Sequence, residues 1–487
     1  MSSAVVRVGA EHARSLASGV RLGTAIGAAK LASIALRRAG RGGGTALPGL
    51  VADRIDPAML TKLTGRLHEG AVVVAGTNGK TTTSRMLADV LEAGGLRVVH
   101  NRSGSNLVRG VTAAFAAQAS LTGDPRGQIG VIEADEAAFP EIVRRVQPRL
   151  ILLNNLFRDQ LDRYGELNTI ATAWQSALAT LPAESTVVVN VDDPALAAIT
   201  EGLIAHRVGF GLDETQHTLD GIGHAVDSVV CRRCGHDLAY DALYSSHLGK
   251  WRCPNCGNAR PPLDVAGRDI HLDGVETLDM TVSFATGRDL PIEVGVPGLY
   301  NAYNALAATA AASTLGVPDD AIQAAFKSFR SAFGRIERAT IAGRTLTLAL
   351  IKNPVGCNEV LRMLTQSADG QPAGLAVPTL ISINDLDADG RDVSWLWDAD
   401  FELLATGQAP LYTSGIRGAD MANRLKYAGV PTERIISLPP EPAAAIDAFT
   451  AALPHGGTGY ILPTYTAMLD LRAVLASRGA VESFWKQ

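Results

Sequence analysis

The stretch Ala75-Gly76-Thr77-Asn78-Gly79-Lys80-Thr81-Thr82-Thr83 constrains this chain more than any other. An apolar β-branched run, Ala71-Val72-Val73-Val74, precedes it, and a helical pattern from Ser84 to Leu91 follows. Strand, glycine turn, Lys-Thr and helix together predict a phosphate cradle. Glycines let backbone N–H groups approach phosphate oxygens, and a helix N-terminus favours the anion. Lys80 is placed to reach terminal phosphates and the Thr81 hydroxyl to ligate Mg²⁺. The general phosphate loop carries another glycine five residues before Gly79, but Val74 stands there, so this is a shorter form.

A second buried strand is expected over Ile129-Gly130-Val131-Ile132, ending in the carboxylates Glu133, Asp135 and Glu136. Ligands bind beyond the carboxyl ends of parallel strands, so Glu133 is the candidate partner of Thr81 on Mg²⁺. Further strands are expected at Leu150–Leu153 and Thr186–Val189. Strands alternating with helices from about residue 70 to 335 predict a doubly wound α/β domain with a mainly parallel sheet. A second α/β unit follows, with strands expected at Leu346–Ile351, Pro378–Ile383, Ala409–Thr413 and Thr458–Leu462 and a final helix over Ala467–Arg478.

Four of the five cysteines form two pairs, Cys231-x-x-Cys234 and Cys253-x-x-Cys256, with 18 residues between the pairs. This is the spacing of a structural zinc site. Four thiolates close the tetrahedron, so the zinc is expected to be structural rather than catalytic. Two disulfides are the alternative, disfavoured for a nucleotide-binding chain in which no secretory signal is read. The basic residues Arg232, Arg233, Lys250 and Arg252 are read as offsetting thiolate charge. Cys357 is expected in the core.

The chain has 487 residues, 47% hydrophobic and 19% charged, which suits two or three folded domains. A net charge of −5 gives no basis for polyanion binding. Residues 5–41 carry Arg7, Arg14, Arg21, Lys30, Arg37, Arg38 and Arg41 against Glu11 alone. This reads as a basic helix, suited to packing on the domain or to resting on an anionic membrane surface, and transit peptides share the pattern. No run of about 18 apolar residues is evident, so no membrane span is expected. Arg41–Thr45 reads as a linker, and Pro48-Gly49 as a turn into the main domain. The expected boundaries are 1–45 for helix and linker, 46–335 for the ATP-binding domain with a zinc-ribbon insertion at 222–268, and 336–487 for the C-terminal domain.

The G-T-N-G-K-T-T form resembles the ATP loop of the Mur ligase and folylpolyglutamate synthetase superfamily. Those enzymes phosphorylate a carboxylate with ATP, and an amine then displaces the phosphate. Other segments resemble the same superfamily in the same order. Asn155–Asp162 is similar to its T-N-x-x-x-D-H-x-D, with Gln160 at the histidine, and Gln175 falls at a lysine that becomes carbamylated. Asn190-Val191-Asp192-Asp193-Pro194 matches N-x-D-D-P. Gly298–Ala308 matches a helix start with Asn301 and Asn304, and Gly334-Arg335-Ile336-Glu337 matches G-R-x-E. The resemblance implies nucleotide contacts from Gly76, Thr77, Asn78, Gly79, Lys80, Thr81, Thr82, Asp192, Asn301, Asn304 and Arg335. It leaves a second metal site open at Gln160 and Gln175.

Lys352-Asn353-Pro354-Val355-Gly356, Ala388-Asp389-Gly390-Arg391-Asp392-Val393-Ser394-Trp395-Leu396-Trp397-Asp398 and the four-cysteine insertion resemble the MurT family. Its members are ligase subunits of lipid II isoglutaminyl synthase. The resemblance implies ATP, Mg²⁺ and structural Zn²⁺. It also implies amidation of the D-glutamate α-carboxylate of the lipid II stem peptide, and ammonia from a GatD-like glutaminase partner. It points to an aspartate serving that partner's catalytic site: Asp392 first, then Asp389 and Asp398. The expected location is cytoplasmic, with peripheral contact at the inner membrane face left open. The rival readings are an amino-acid-adding Mur or folylpolyglutamate-type ligase and a zinc-ribbon nucleic-acid-binding ATPase. The missing D-Y-A-H segment counts against the first, and net acidity without a basic stripe against the second.

Overall fold

A computed structural model describes residues 2–38, 46–101, 105–157, 167–219, 221, 227–273, 276–330, 337–365 and 374–481, with side chains from residue 18. The strands of the first sheet are β1 (Ala71–Ala75), β2 (Val98–His100), β3 (Ile129–Glu133), β4 (Leu150–Leu153), β5 (Thr186–Asn190) and β6 (His206–Leu212). A hairpin, β7 (Ala239–Ser245) and β8 (Leu248–Arg252), precedes β9 (Val265–Asp273), β10 (Thr277–Phe284) and β11 (Asp289–Val294). The nine-stranded order is β11-β10-β9-β6-β5-β4-β1-β3-β2. Pairing is parallel from β2 to the β6–β9 contact and antiparallel across β9, β10 and β11.

The burial patterns follow from that pairing. β1 and β3 are buried at every position, as strands covered on both faces must be, whereas edge strand β11 alternates exposed and buried. Val73 and Ala75 face one apolar cluster and Val72 and Val74 the other. The second cluster holds the helices Lys80–Ala93 and Leu299–Thr314. Because β1 pairs with β3 on one side and β4 on the other, the loop after it opens into a crevice at the carboxyl edge of the sheet.

The second sheet comprises β12 (Glu337–Ile341), β13 (Arg344–Leu348), β14 (Thr379–Ser382), β15 (Leu411–Ser414), β16 (Ile435–Ser437) and β17 (Thr458–Pro463). Its order is β12-β13-β17-β14-β15-β16, parallel except for β12–β13. The final helix runs Tyr465–Ser477. Cys357 is fully buried and its thiol is pushed upward by burial, as a core cysteine should be.

Two expectations need correcting. Pro48-Gly49 is not a turn: both lie in the helix Ala46–Ile55. Proline is tolerated in a first helical turn. Gly49 is needed because a Cβ there would stand 1.8 Å from the Arg109 carbonyl oxygen. The N-terminal helix spans Ser2–Arg38, and its segment Ser18–Arg38 is long and apolar enough to cross a membrane by length and composition, contrary to the reading of the sequence. Leu22, Ala25, Ile26 and Ala29 of that segment are nevertheless buried in the first apolar cluster. The Gly42–Gly44 linker lies outside the described residues.

Candidate nucleotide and zinc sites

The phosphate loop joins β1 to the helix Lys80–Ala93. Gly79 is the N-cap, with φ 82°, and no side chain caps this end. A Cβ on Gly79 would meet Asn304 Oδ1 at 2.1 Å, so both the backbone angle and the neighbour demand glycine. The helix N-terminus therefore opens into the crevice with its amides available to an anion.

The loop is bolted to the end of β4. Asn78 N donates to Asn155 Oδ1 (2.8 Å), Asn155 Nδ2 donates to Asn78 O (3.1 Å), and Thr77 Oγ1 donates to Phe157 O (3.0 Å). Lys80 is buried, and its Nζ pairs with Glu136 Oε1 at 2.9 Å. The Thr81 hydroxyl donates to Glu133 Oε1 at 3.1 Å. Thr82 is buried beside them. Thr81 and Glu133 are thus juxtaposed hard oxygen donors next to a phosphate-binding helix end, a set that fits Mg²⁺. Glu136 stood in the sequence beside Glu133 without an assigned role; its pairing with Lys80 emerges only in three dimensions.

The crevice continues across to the second domain. Its walls include Asn78, Asn154, Tyr300 and Asn304 on one side and Lys352 and Asn353 on the other. Asn353 Nδ2 donates to Asn78 Oδ1 at 2.9 Å, tying the K-N-P segment directly to the phosphate loop. Asn353 also caps its own helix, Pro354–Thr365, by accepting from Gly356 N at 2.8 Å, with Pro354 next in the first helical position. Asn304 lines the crevice, accepts from Thr83 Oγ1 (3.1 Å) and donates to Asn301 Oδ1 (3.0 Å). Asn301 is one step back, donating to the Pro297 carbonyl.

Asp192 is placed differently from its expected contact with the nucleoside. It is fully buried, paired with Arg260 Nη1 at 2.6 Å, and it accepts from Tyr303 Oη (2.8 Å) and Leu212 N (2.8 Å). Burial and the neighbouring Asp192 raise the Tyr303 phenol well above its ordinary range, so it stays a donor. Asp193 caps the helix Pro194–Ile199 and accepts from Leu156 N at 2.7 Å. Both carboxylates hold the walls of the crevice together rather than reach into it. Gln175 is exposed on the helix Leu167–Leu178, and its neighbour Trp174 is the residue that faces inward, donating to Glu136 O. A metal ligand is therefore not found at Gln175. Gln160 and Arg335 lie outside the described residues.

Cys231, Cys234, Cys253 and Cys256 bring their Sγ atoms within 4.8 Å of one another. Cys231–Cys256 is 3.6 Å and Cys234–Cys253 is 3.5 Å, and all four are free thiols. A tetrahedron with Zn–S bonds of about 2.3 Å has edges of about 3.8 Å, so the set fits zinc. The two knuckles are alike: Gly235 N donates to Cys231 O and Gly257 N to Cys253 O, with φ 73° and 72° at the glycines. Burial raises the Cys231 thiol, but the backbone N–H groups of Arg233 and Cys234 overcome it and bring the thiol down to about 6. Two of the four nearby cations are taken up by carboxylates rather than left to the thiolates: Arg233 pairs with Glu201 and Arg252 with Asp241.

The hairpin β7–β8 of the insertion reaches back to the crevice. Trp251 Nε1 donates to Val191 O (3.0 Å), and the buried His247 ring packs at a tilt of 55° against Phe157, with centroids 4.7 Å apart and Nε2 3.4 Å from Asp193 Oδ2. With Arg260 on Asp192, the zinc module clamps the N-x-D-D-P turn. Sequence reasoning missed Arg260, Trp251 and His247, for which no local pattern gives a signal.

In the C-terminal domain, β14 leads into the loop Asn384–Trp397. Asp389 is buried and stapled: it accepts from Thr466 N (2.8 Å), Leu386 N (3.2 Å) and the Thr466 hydroxyl. Asp392 is exposed, and its carboxylate accepts from Ser394 N (2.8 Å), which holds it below its ordinary range and ionised. Half-exposed Trp397 and exposed Leu386 stand in the same loop.

Residues 74–229 match the Mur ligase middle domain and residues 350–468 match the MurT ligase C-terminal domain. A solved pseudomurein peptide ligase type C from Methanothermus fervidus superposes with TM-score 0.63 at 20% identity, covering 84% of this chain and 78% of that one. MurF ligase from Thermotoga maritima in complex with ADP gives TM-score 0.61 at 13% identity, over 86% and 82%. These two likenesses establish the fold. The lipid II isoglutaminyl synthase (glutamine-hydrolyzing) subunit MurT of Streptococcus pneumoniae is 35% identical, covering 92% of this chain and 95% of that protein. Its Staphylococcus aureus counterpart is 33% identical over 93% and 97%. With a Mur ligase-like α/β fold, a four-cysteine site and a matching C-terminal domain, the chain belongs to the MurT family of Mur ligase-type amidating ligases.

Proposed function

We propose that this chain is the ATP-consuming subunit of a glutamine-dependent ligase that amidates the D-glutamate α-carboxylate of the lipid II stem peptide. The observation that carries this reading is the open helix N-terminus at which Lys80 pairs with Glu136 and Thr81 with Glu133, its Asn78 and Gly79 lining a crevice that Lys352 and Asn353 of the second domain close from the other side. The relatives' name supplies the substrate and the use of glutamine.

In the proposed reaction ATP binds with its phosphates at the amides of the Gly79–Lys80 turn. Lys80 leaves Glu136 for the terminal phosphates and offsets charge as the phosphoryl group moves. Thr81 and Glu133 would hold Mg²⁺, which would supply further charge neutralisation. A carboxylate oxygen attacks the γ-phosphorus and ADP leaves, giving an acyl phosphate. Ammonia attacks the acyl carbon, phosphate departs, and D-isoglutamine results. Asn304 and Asn301 shape the nucleoside side of the pocket.

The ammonia comes from a GatD-like glutaminase subunit, and Asp392 completes its catalytic site by orienting a histidine beside the cysteine nucleophile. The exposure and ionisation of Asp392 support this choice, as does the internal use of Asp389. The zinc is structural. The enzyme works in the cytoplasm, at the inner face of the membrane that carries its lipid-linked substrate.

The test is to incubate purified chain with lipid II, Mg²⁺·ATP and ammonium, and separately with glutamine plus the glutaminase. The expected product carries the mass change of one carboxyl-to-amide conversion, with one ADP formed per amide. ATP-dependent attachment of an amino acid instead, or no product under either condition, overturns the reading.

A further inference from the structure

The segment Ser18–Arg38 of the N-terminal helix has two apolar faces, and among the described residues only one of them is packed. Leu22, Ala25, Ile26 and Ala29 form the inward face, which packs on the helices Ala46–Ile55 and Val108–Gln118. On the other side Val20 is 70% exposed, Leu31 69% and Ile34 40%. At 3.6 residues per turn, Leu31 falls within about 20° of Val20 on the helix and Ile34 within about 40°, so the three form one stripe. Gly27 lies in this stripe, and a Cβ there would touch Leu121 Cδ2 at 3.6 Å; Leu121 is itself 61% exposed. The outward stripe is therefore extended sideways by a fourth large apolar side chain.

The charge on this segment is of one sign. Residues 18–38 contain Arg21, Lys30, Arg37 and Arg38 and no carboxylate, in a chain whose net charge is −5. The adjoining loop adds a cation, Arg126, and a carboxylate, Asp124; burial and then the charge of Arg126 lower the Lys30 ammonium. The segment passes the length and composition test for a membrane span. It cannot span while its inward face is buried in the domain. A helix held flat on a globular surface, with an apolar stripe outward and cations around it, has the make-up of an interfacial anchor.

We propose that the outward face of Ser18–Arg38, with Leu121, docks this protein on an anionic lipid bilayer. The helix lies in the plane of the surface, Val20, Leu31, Ile34 and Leu121 enter the acyl boundary, and Lys30, Arg37 and Arg38 meet lipid phosphates. This inference stands apart from the ligase reading, because it concerns lipid charge and not the substrate.

The test uses the full chain and sucrose-loaded vesicles free of lipid II, of phosphatidylglycerol and phosphatidylcholine in equal parts, with pure phosphatidylcholine vesicles for comparison. The wild type should sediment with the anionic vesicles, lose binding as salt is raised, and ignore the neutral ones. The double variant Leu31→Glu/Ile34→Glu changes only exposed positions, so its melting temperature should match the wild type while vesicle partitioning falls on the order of tenfold or more. Ile204→Glu, at a 77% exposed position elsewhere, should partition like the wild type. Equal binding to both vesicle types, or an unchanged double variant, overturns the proposal. So does a double variant that instead loses self-association in light scattering, which gives the face to a second copy, or loses capture of the glutaminase, which gives it to the partner.

Discussion

Two of the loops that leave the carboxyl ends of parallel strands in this molecule are finished to different degrees. The loop after β1 is braced within the chain: Lys80 has Glu136, Thr81 has Glu133, and Asn78 is held by Asn155 and Asn353, while Asn78 Nδ2 and Thr82 Oγ1 are buried without a hydrogen-bond partner among the described residues. The loop after β14 is complete in its frame but not at its tip. Asp389 is consumed by Thr466 and Leu386, while Asp392 is presented to solvent, ionised, with Ser394 holding it. A buried ion pair around a phosphate cradle belongs to a site that works on its own contents. An exposed carboxylate on a stapled loop, beside Trp397 and Leu386, is what the proposed completion of a partner's site requires.

The largest effect expected on the first loop comes from the zinc module, since Trp251, His247 and Arg260 of the insertion brace the turn beneath the crevice. Cys231→Ser or Cys253→Ser should lose the metal and much of the folded yield, because metal binding and folding are one free energy in such modules. Metal analysis finding about one zinc per wild-type chain and none in the variants checks this; a fully active zinc-free variant breaks it.

Next in size is Lys80→Ala. Loss of a charge that acts on the transferring phosphoryl group should lower turnover on the order of 10²–10³-fold, with the fold retained. The measurement is ADP release in the presence of lipid II, alongside circular dichroism. Turnover near the wild-type rate means that the first loop is not the ATP site.

Tyr303→Phe sharpens the comparison at the level of support. It removes a donor from buried Asp192 and should cost about 1–3 kcal/mol of stability, read by denaturant unfolding. An unchanged midpoint would show that Arg260 and Leu212 suffice.

Smallest is Asn353→Ala, which removes the link to Asn78 and a helix cap, together about 1–2 kcal/mol. It should raise the KM for ATP several-fold with less change in kcat, because it loosens the two walls without touching the reacting groups. An equal fall in kcat with KM unchanged would move Asn353 into the chemistry.

The split between the two loops also explains what the sequence made legible. The phosphate loop, the pairing of Thr81 with Glu133, the cysteine spacing and four strands in each sheet rest on local patterns: a glycine turn, a carboxylate after an apolar run, a fixed interval, a β-branched run; the other five strands of the first sheet and two of the second are not read from such patterns. From the sequence, Asp192 is expected at the nucleoside because its N-x-D-D-P turn resembles the superfamily's. Its true partner, Arg260, sits 68 residues away in an insertion whose packing no pattern records. Pro48-Gly49 looked like a turn because both residues break helices, yet the close approach of Arg109 selects glycine within a helix. Gln175 and Trp174 are adjacent in sequence, and only packing decides that the tryptophan faces inward.

The comparison is tested most directly by Asp392→Asn in the purified complex with the glutaminase, assayed once with glutamine and once with high ammonium at alkaline pH. The substitution keeps the size of the side chain and its exposure but removes the charge. The account predicts an intact complex, loss of glutamine hydrolysis and of glutamine-dependent amidation, and amidation restored in part by ammonium, since the loop after β1 is untouched. Normal glutamine hydrolysis by the variant would contradict it, as would an assembled complex that ammonium fails to rescue.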